Sequence, residues 1–130
     1  MPTTLPAAPQ QVVDFLKVLG PTVRASGSKT GVVCCDAAGW DRQVAHTEAI
    51  EADPAAGKAV QSITGHRYSG PTAVPQPTDK RVWMSEWSPD GTTWNESWDD
   101  GSGYDGLTVA ADIQNTLTAG HANAYVYWTG

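Results

Sequence analysis

The order of strand-like and helix-like segments is the feature that most restricts what this chain can fold into. Four apolar runs bounded by turn residues are predicted as strands: Gly31–Cys35, Ser62–His66, Arg81–Glu86 and Asn123–Trp128. Helical patterns occupy Pro9–Leu19, Asp41–Glu51 and Leu107–Ala119. Strands that alternate with helices form a parallel sheet with the helices packed on its outside. The pattern therefore predicts an α/β fold.

Turn and cap residues set the predicted ends of the helices. Gly20-Pro21 is expected to stop the first helix, and Pro21–Ser26 is expected to form a second short one. Asp53-Pro54 has the pattern of an N-cap and first turn, which predicts a further short helix. In the last helix, the apolar spacing places Leu117 on the buried side.

The composition is that of an acidic globular protein. The chain has 130 residues, of which 40% are hydrophobic and 17% charged, and this suits one domain with a modest core. Its formal charge of −6 disfavours nucleic acid and anionic membranes as partners, whereas a neutral polymer is not repelled. No apolar stretch is long enough to span a bilayer, and the N-terminal segment MPTTLPAAPQQ lacks the features of a signal peptide.

The segment Lys80–Trp87, with the sequence KRVWMSEW, points to chemistry. Its apolar run ends in Glu86, and the turn Pro89-Asp90-Gly91 follows, as expected for a buried strand that delivers a carboxylate to the rim of a sheet. Five of the six tryptophans lie in or after this segment: Trp83, Trp87, Trp94, Trp98 and Trp128. A carboxylate among flat aromatic rings suits a carbohydrate site, because indoles stack on sugar rings. The alternative is a surface glutamate beside core tryptophans.

Polar and aromatic residues also mark the other predicted strand ends. They are Asp36 after the first strand, His66 and Tyr68 at the second, and Trp128 at the last. Strand alternation puts Glu86 on the face of Val82 and Met84, and if that face points inward the five residues surround one rim. Three of them also have plain structural interpretations: a hydrogen-bonded core histidine, an aspartate that caps a loop, and a tryptophan that only packs.

The adjacent Cys34 and Cys35 are interpreted as free thiols. Neighbouring residues of a strand point to opposite faces, so a bond between these two would require the chain to leave strand geometry. Two buried thiols on opposite faces are therefore the favoured prediction. No metal site is predicted, because no CxxC motif or suitably spaced histidine completes one.

Four segments together resemble a known enzyme family. They are VCCDAAGWD at Val33–Asp41, ITGHRYS at Ile63–Ser69, VWMSEWS at Val82–Ser88 and ANAYVYWTG at Ala122–Gly130. In this order they are similar to the second half of the catalytic barrel of glycoside hydrolase family 30, a family of retaining glycosidases. The resemblance implies a (β/α)8 TIM barrel. It also implies that residues 1–130 are a single partial domain, the C-terminal half of that barrel with about its fifth to eighth strands.

The resemblance implies roles for single residues. Glu86 matches the catalytic nucleophile, and His66 and Tyr68 fall where residues of the family contact the sugar or orient the nucleophile. Trp128 would form the floor of the subsite for the cleaved sugar. The implied partner is an oligo- or polysaccharide, with xylan, β-1,6-galactan and β-1,6-glucan as candidates, and no metal or organic cofactor is implied. The full-length parent would be extracellular.

One element of the family pattern is missing from this sequence. The resemblance also implies that Asp36 and Trp40 line the cleft. A retaining glycosidase needs two carboxyl groups about 5–5.5 Å apart, and Glu86 is one of them. The family's acid/base lies in an Asn-Glu-Pro motif, and the sequence contains no such triplet. Glu96, in a long loop, and Asp36 are poor substitutes. The chain by itself is therefore expected to be inactive.

Two further expectations follow from the half-barrel interpretation. The outer strands at Gly31–Cys35 and Asn123–Trp128 would have unpaired edges, which predicts self-association. The alternative to an enzyme fragment is a non-catalytic carbohydrate-binding protein, or a vestigial product of a truncated gene, in which the tryptophans remain as stacking surfaces.

Overall fold

The computed structural model describes residues 7–89 and 95–128. Within these ranges the helices are α1 (Pro9–Ala25), α2 (Trp40–Ala52), α3 (Pro54–Ala59) and α4 (Gly106–Thr118), and the strands are β1 (Val32–Ala37), β2 (Val60–His66), β3 (Arg81–Trp87) and β4 (Ala124–Tyr127). The predicted strands are thus confirmed with small changes at their ends. Asp90 and Gly91 of the predicted turn, and Trp94, lie outside the described residues.

All neighbouring strands of the sheet are parallel. The strand order is β1-β2-β3-β4, which makes β1 and β4 the outer strands of the described sheet. A parallel sheet places the carboxyl ends of its strands along one edge. The predicted α/β fold with a parallel sheet is confirmed. None of the helices in the described ranges combines the length and the apolar character that crossing a membrane requires.

Helix α1 differs from the prediction. It runs without a break through Gly20 and Pro21, so the expected stop there is wrong, and Pro21–Ser26 is not a separate helix. A proline inside a helix removes one backbone hydrogen bond. Packing of α1 on α3 offsets this loss, because at Gly20 an added Cβ would lie 2.6 Å from Cβ of Ala59. Gly20 therefore permits a close approach of two helices instead of ending one.

One face of the sheet packs against the helices and forms the core. Gly65 of β2 pairs in register with Met84 of β3, so the two residues point to the same side of the sheet. A Cβ added to Gly65 would lie 3.1 Å from Cγ of Gln43 in α2, which shows that this side faces the helices. Val82 and Met84 are 5% and 0% exposed on this side, which we call the helix face. The opposite side, where Trp83 is 36% exposed, is called the open face. The interpretation of the side of Val82 and Met84 as the inward face of a barrel is wrong.

A change of register separates Glu86 from the buried residues of its own strand. Gly65 pairs with Met84, but the next residue of β2, His66, pairs with Glu86, so Ser85 is passed over. Such an irregularity inserts one extra residue into a strand and re-aims the side chains that follow it. The alternation of faces along β3 is therefore broken at this point.

Trp87 shows to which side Glu86 turns. Trp87 is 6% exposed and lies under the guanidinium of Arg67, whose partner Asp112 belongs to α4, so its ring is on the helix face. Glu86 is the neighbouring residue of the strand and points the opposite way, to the open face. The prediction that Glu86 shares a face with Met84 is therefore wrong.

Cys34 and Cys35 form a disulfide, so the prediction of two free thiols is wrong. The pairing of β1 with β2 shifts register between Cys35 and Ala37, and Asp36, which lies between them, has a φ of +56° in the left-handed region. The chain thus leaves regular strand geometry near the end of β1. This departure is the condition under which adjacent cysteines can be bonded to each other.

Asp53 caps α3, as predicted. Its Oδ1 accepts hydrogen bonds from the N–H groups of Ala56 at 3.0 Å and Ala55 at 2.9 Å. The bond from Ala56, followed by the contact with Lys17, lowers the pKa of the Asp53 carboxyl below its usual value of 3.8. Because the folded-state pKa is depressed, the stabilisation is present above that usual value and is lost as the pH falls through the lower folded-state pKa.

We expect Asp53→Ala to lower the free energy of unfolding near neutral pH, because two N–H groups lose their acceptor. Asp53→Asn keeps a capping oxygen and should cost less. Urea unfolding at neutral pH and at about pH 3 measures both effects, and the penalty of Asp53→Ala should shrink in acid. An equal loss for the two variants, or a penalty independent of pH, would contradict this role of the carboxylate.

Candidate active site

The carboxyl edge of the sheet brings together four predicted site residues and one that was not predicted. We call this group the rim cluster: Asp36, His66, Tyr68, Ser85 and Glu86. At its centre, Oε1 of Glu86 accepts a hydrogen bond of 3.1 Å from the hydroxyl of Tyr68. Nδ1 of His66 lies 3.7 Å from the same oxygen. Glu86 is thus contacted from two sides while a quarter of its side chain, 25%, stays exposed.

The imidazole of His66 stands between the two carboxylates of the cluster. Its Nε2 lies 3.8 Å from Oδ1 of Asp36, and its other nitrogen faces Glu86. Both contacts are longer than hydrogen bonds and become ion pairs when the ring is protonated. Oδ1 of Asp36 also accepts a hydrogen bond of 2.6 Å from the hydroxyl of Ser85. Asp36 therefore faces the imidazole and does not face Glu86 across an open gap.

Backbone hydrogen bonds fix the strand ends that carry the cluster. The N–H of Arg67 donates to the carbonyl oxygen of Glu86 at 3.2 Å, and the N–H of Tyr68 donates to that of Ala38 at 3.0 Å. The rings of His66 and Tyr68 meet edge to face with centroids 6.0 Å apart. The ends of β1, β2 and β3 are joined in this way, which is why residues distant in sequence meet here.

An ion pair supports the cluster from the helix face. Nε of Arg67 pairs with Oδ1 of Asp112 in α4, and the guanidinium carbon lies 4.4 Å from the centroid of the Trp87 ring. Oδ2 of Asp112 accepts a hydrogen bond of 2.7 Å from the hydroxyl of Tyr125 in β4. Burial and this bond raise the pKa of Tyr125 well above its usual value. Arg67 and Trp87 each adjoin a cluster residue, so the network anchors the cluster to α4 and β4.

Ser85, Arg67 and Asp112 were not predicted as functional residues from the sequence. The apolar spacing assigned Leu117 to the buried side of α4, but Leu117 is 42% exposed whereas Asp112 is 6% exposed. The apolar pattern of a helix reveals buried positions only where they carry apolar residues, so a buried aspartate such as Asp112 is not found in this way. The one available sign was the position of Arg67 directly after a buried strand, since a cation there requires a partner.

Trp40 lies in the core and not in the cleft. It is 1% exposed, and its Nε1 donates a hydrogen bond of 2.7 Å to the carbonyl oxygen of Val74. The prediction that Trp40 lines the cleft is therefore wrong, because its indole is covered and its polar atom is bonded inside the protein. The side chain of Trp128 is largely open to solvent, since the residue is 51% exposed. Its backbone N–H donates a hydrogen bond of 2.9 Å to the backbone carbonyl oxygen of Trp87, the residue after Glu86.

The loop before α4 is organised by two aspartates. Asp105 caps the helix by accepting the N–H of Thr108 at 2.8 Å, and its other oxygen accepts the N–H groups of Asp100 at 3.1 Å and Gly101 at 3.0 Å. Hydrogen bonds from Ser102, its hydroxyl foremost, hold the pKa of Asp100 well below the ordinary range. Residues 95–105 thus form a closed, hydrogen-bonded loop at the carboxyl end of the sheet.

The described fold is similar to that of solved protein structures. No protein-family model matches the chain. Among solved structures, the catalytic domain of a glycoside hydrolase family 30 xylanase C from Talaromyces cellulolyticus matches with a TM-score of 0.88 and 28% identity over 97% of this chain. The resemblance to glycoside hydrolase family 30 is confirmed.

Two bacterial family 30 structures agree with this result. A family 30 subfamily 8 xylanase from Clostridium acetobutylicum matches 94% of the chain with a TM-score of 0.69 and 27% identity. A family 30 endoxylanase from Clostridium papyrosolvens C71 matches 94% with a TM-score of 0.68, and at 18% identity this shows likeness of fold alone. The chain spans 29% of the length of each solved chain, so its structure is similar to a part of a family 30 catalytic domain.

Asp112→Ala would leave the guanidinium of Arg67 without its counter-ion. We expect the free energy of unfolding to fall by about 2–3 kcal/mol. A fully buried pair would lose more, but 30% of the Arg67 side chain is exposed. Asp99→Ala, which removes an exposed carboxylate, is the control and should change stability by less than about 0.5 kcal/mol. Urea unfolding measures the free energy of unfolding of both variants. An equal loss in the two would contradict the proposed support of the cluster by the Arg67–Asp112 ion pair.

Proposed function

We propose that the chain is part of a retaining endo-glycosidase acting on a β-linked polysaccharide, with Glu86 as the nucleophile. The observation that carries the proposal is the environment of Glu86, at the carboxyl end of β3, on the open face, with Oε1 bonded to Tyr68. A carboxylate nucleophile must be oriented towards the anomeric carbon and reachable by it. The Tyr68 bond supplies orientation, and the exposed part of the side chain supplies access.

The proposed reaction is a double displacement. A carboxylate oxygen of Glu86 attacks the anomeric carbon, the glycosidic bond breaks, and a glycosyl ester forms that water later hydrolyses. His66 and Tyr68 would keep the carboxylate in place through both steps. Trp128 would stack against the cleaved sugar with its exposed indole. Asp36, with 52% of its side chain exposed, would contact the substrate beside the imidazole.

Xylan is the first substrate to test. The structures with 28% and 27% identity to this chain are xylanases, whereas the sequence alone left β-1,6-galactan and β-1,6-glucan equally open. We further propose that residues 1–130 form the C-terminal half of the barrel, with about its fifth to eighth strands, and that the full-length parent is extracellular.

The proposed reaction needs a second carboxyl group, which in the family belongs to an Asn-Glu-Pro motif. The sequence has no Asn-Glu-Pro triplet. Asp36 is not proposed for this role. Its Oδ1 lies 3.8 Å from Nε2 of His66, whose Nδ1 lies 3.7 Å from Oε1 of Glu86, whereas a retaining pair spans about 5–5.5 Å with the sugar between. The chain alone is therefore proposed to be inactive, since the leaving group has no proton donor.

A second candidate function is binding of carbohydrate without catalysis, either native or vestigial. The exposure of Trp98 at 66% and Trp128 at 51% supports it, because both rings are accessible for stacking. The two candidates differ in the need for Glu86: hydrolysis requires its carboxylate, whereas stacking does not.

We expect no measurable xylan hydrolysis by the isolated chain, because general-acid assistance alone is commonly worth about 10²–10⁴-fold. A longer protein that supplies the remaining strands and an Asn-Glu-Pro segment should hydrolyse xylan. Glu86→Ala should abolish that turnover, and azide should restore cleavage of an activated aryl glycoside by occupying the vacated space. Release of reducing sugar and of the aryl group measures the two activities.

The matched control is Glu48→Ala, which removes an exposed carboxylate from α2, away from the rim cluster, and should leave activity unchanged. Near-normal activity of Glu86→Ala in the longer protein would exclude Glu86 as the nucleophile. Turnover by the isolated chain that disappears in Glu86→Gln would reveal a second catalytic carboxylate within these residues. Xylan binding without turnover in the longer protein would favour the binding function.

We also propose that the isolated chain self-associates through its outer strands and open face. The outer strands β1 and β4 expose Val33 at 43% and Val126 at 47%, and Trp83 on the open face is 36% exposed. Unpaired strand edges beside exposed apolar side chains favour pairing with another chain.

Size-exclusion chromatography with light scattering should therefore show dimers or larger species. Val126→Lys on β4 should shift the chain towards monomer, because a charge on an edge strand opposes edge pairing. Val18→Lys, at an α1 residue that is 65% exposed, is the matched control and should not. A monomeric wild-type chain with a cooperative melt and no binding of a dye for apolar surface would contradict the open-edge interpretation.

A further inference from the structure

An exposed indole stands at the same end of the sheet as the rim cluster. Trp98 is 66% exposed, whereas Trp40 and Trp87 are 1% and 6% exposed in the core. It belongs to residues 95–105, the hydrogen-bonded loop before α4. Most of the Trp98 ring is therefore open to solvent on a loop that hydrogen bonds to Asp105 hold in place.

Trp98 is held in place by the first turn of α4. Its carbonyl oxygen accepts the N–H of Leu107 at 2.7 Å, and that of Ser97 accepts the N–H of Gly106 at 3.1 Å. An added Cβ at Gly106 would lie 2.8 Å from Cε3 and 3.3 Å from Cζ3 of the indole. The benzo ring thus rests on the glycine backbone, and the rest of the indole remains available to a ligand.

The position of the ring relative to the rim cluster follows from α4. This helix crosses back between two parallel strands and so begins at their carboxyl edge. Asp112 meets Arg67, which directly follows His66, and Gly106 lies earlier in the same helix. At 1.5 Å per residue, Gly106 lies about 9 Å before Asp112 along the axis of α4, towards the carboxyl edge of the sheet. Because the indole of Trp98 rests on Gly106, it lies at the same end of the sheet as the rim cluster.

The charges near Trp98 restrict the ligand. Glu96, Asp99 and Asp100 are exposed on the same loop, and no Lys or Arg lies between residues 95 and 105. An anionic sugar would be repelled, whereas a neutral pyranose can stack on the indole and offer hydroxyl donors to the carboxylates. The loop is ordered by Asp105 before any ligand arrives, which lowers the entropic cost of binding.

We propose that Trp98 is the stacking platform of a remote subsite for a neutral sugar residue of the polysaccharide. This inference takes its ligand class, a polysaccharide, from the proposed function. The chain of sugar residues bound at Glu86 would continue towards α4 and reach Trp98. It does not require Glu86 to be the nucleophile. Substrate length should then matter, because only an oligosaccharide that extends past the rim cluster reaches the indole.

The test is binding of xylohexaose to the full 130-residue chain, measured by calorimetry and by the indole N–H signals in NMR. Trp98→Ala should weaken binding about tenfold, the loss expected when one aromatic contact is removed. Gly106→Ala should also weaken xylohexaose binding, because the added Cβ would displace the indole of Trp98 from its packing against the backbone of Gly106. Phe15→Ala, which removes a 62% exposed ring from α1, is the control and should have no effect.

The other outcomes separate this inference from the proposed function. Unchanged affinity in Trp98→Ala, or no binding of xylohexaose by the wild type, overturns the subsite and leaves the nucleophile test on Glu86 standing. A change of oligomeric state in Trp98→Ala without a change in affinity also overturns it and assigns the ring to contact between chains. Loss of affinity in Trp98→Ala with full activity of the Glu86→Ala longer protein retains the subsite and overturns only the nucleophile.

Discussion

The break of register at the end of β2 is the constraint on which the candidate site depends. Gly65 pairs with Met84 and His66 with Glu86, so β3 contains one residue more than its neighbour at this point. A shift by one residue exchanges the two faces of a strand. Without it, Glu86 would follow Met84 into the core against the helices. With it, the carboxylate reaches the open face, and Ser85 is left to bond Asp36.

The helix face keeps this irregular strand end in position. Arg67 joins Asp112 of α4, covers Trp87 and lies next to His66, and Asp112 in turn is bonded to Tyr125 of β4. A charged pair on this face is expensive to desolvate and adds little stability in itself. The pair instead orients the site. It holds Arg67 and Trp87, which follow His66 and Glu86 in sequence, from the helix face and leaves the open face accessible.

The alternation of apolar runs was sufficient to predict four strands, their parallel arrangement and the carboxyl edge as the site. These features depend on local periodicity and on the geometry of parallel connections. The course of α1 was not predictable in this way. Gly20-Pro21 carries the local pattern of a helix end, and only the close approach to Ala59 of α3 makes a continuous helix favourable. Propensity is a weak preference that packing overrides.

The sequence by itself determined which residues lie at the strand ends, because Asp36, His66 and Glu86 each close an apolar run, and parallel strands end along one edge. Only the tertiary structure decided which way these side chains point. Strict alternation gives Glu86 the wrong face, and it forbids the Cys34–Cys35 bond that the chain makes by leaving strand geometry. The physical reason is that register and burial depend on neighbouring strands and helices, which no local pattern contains.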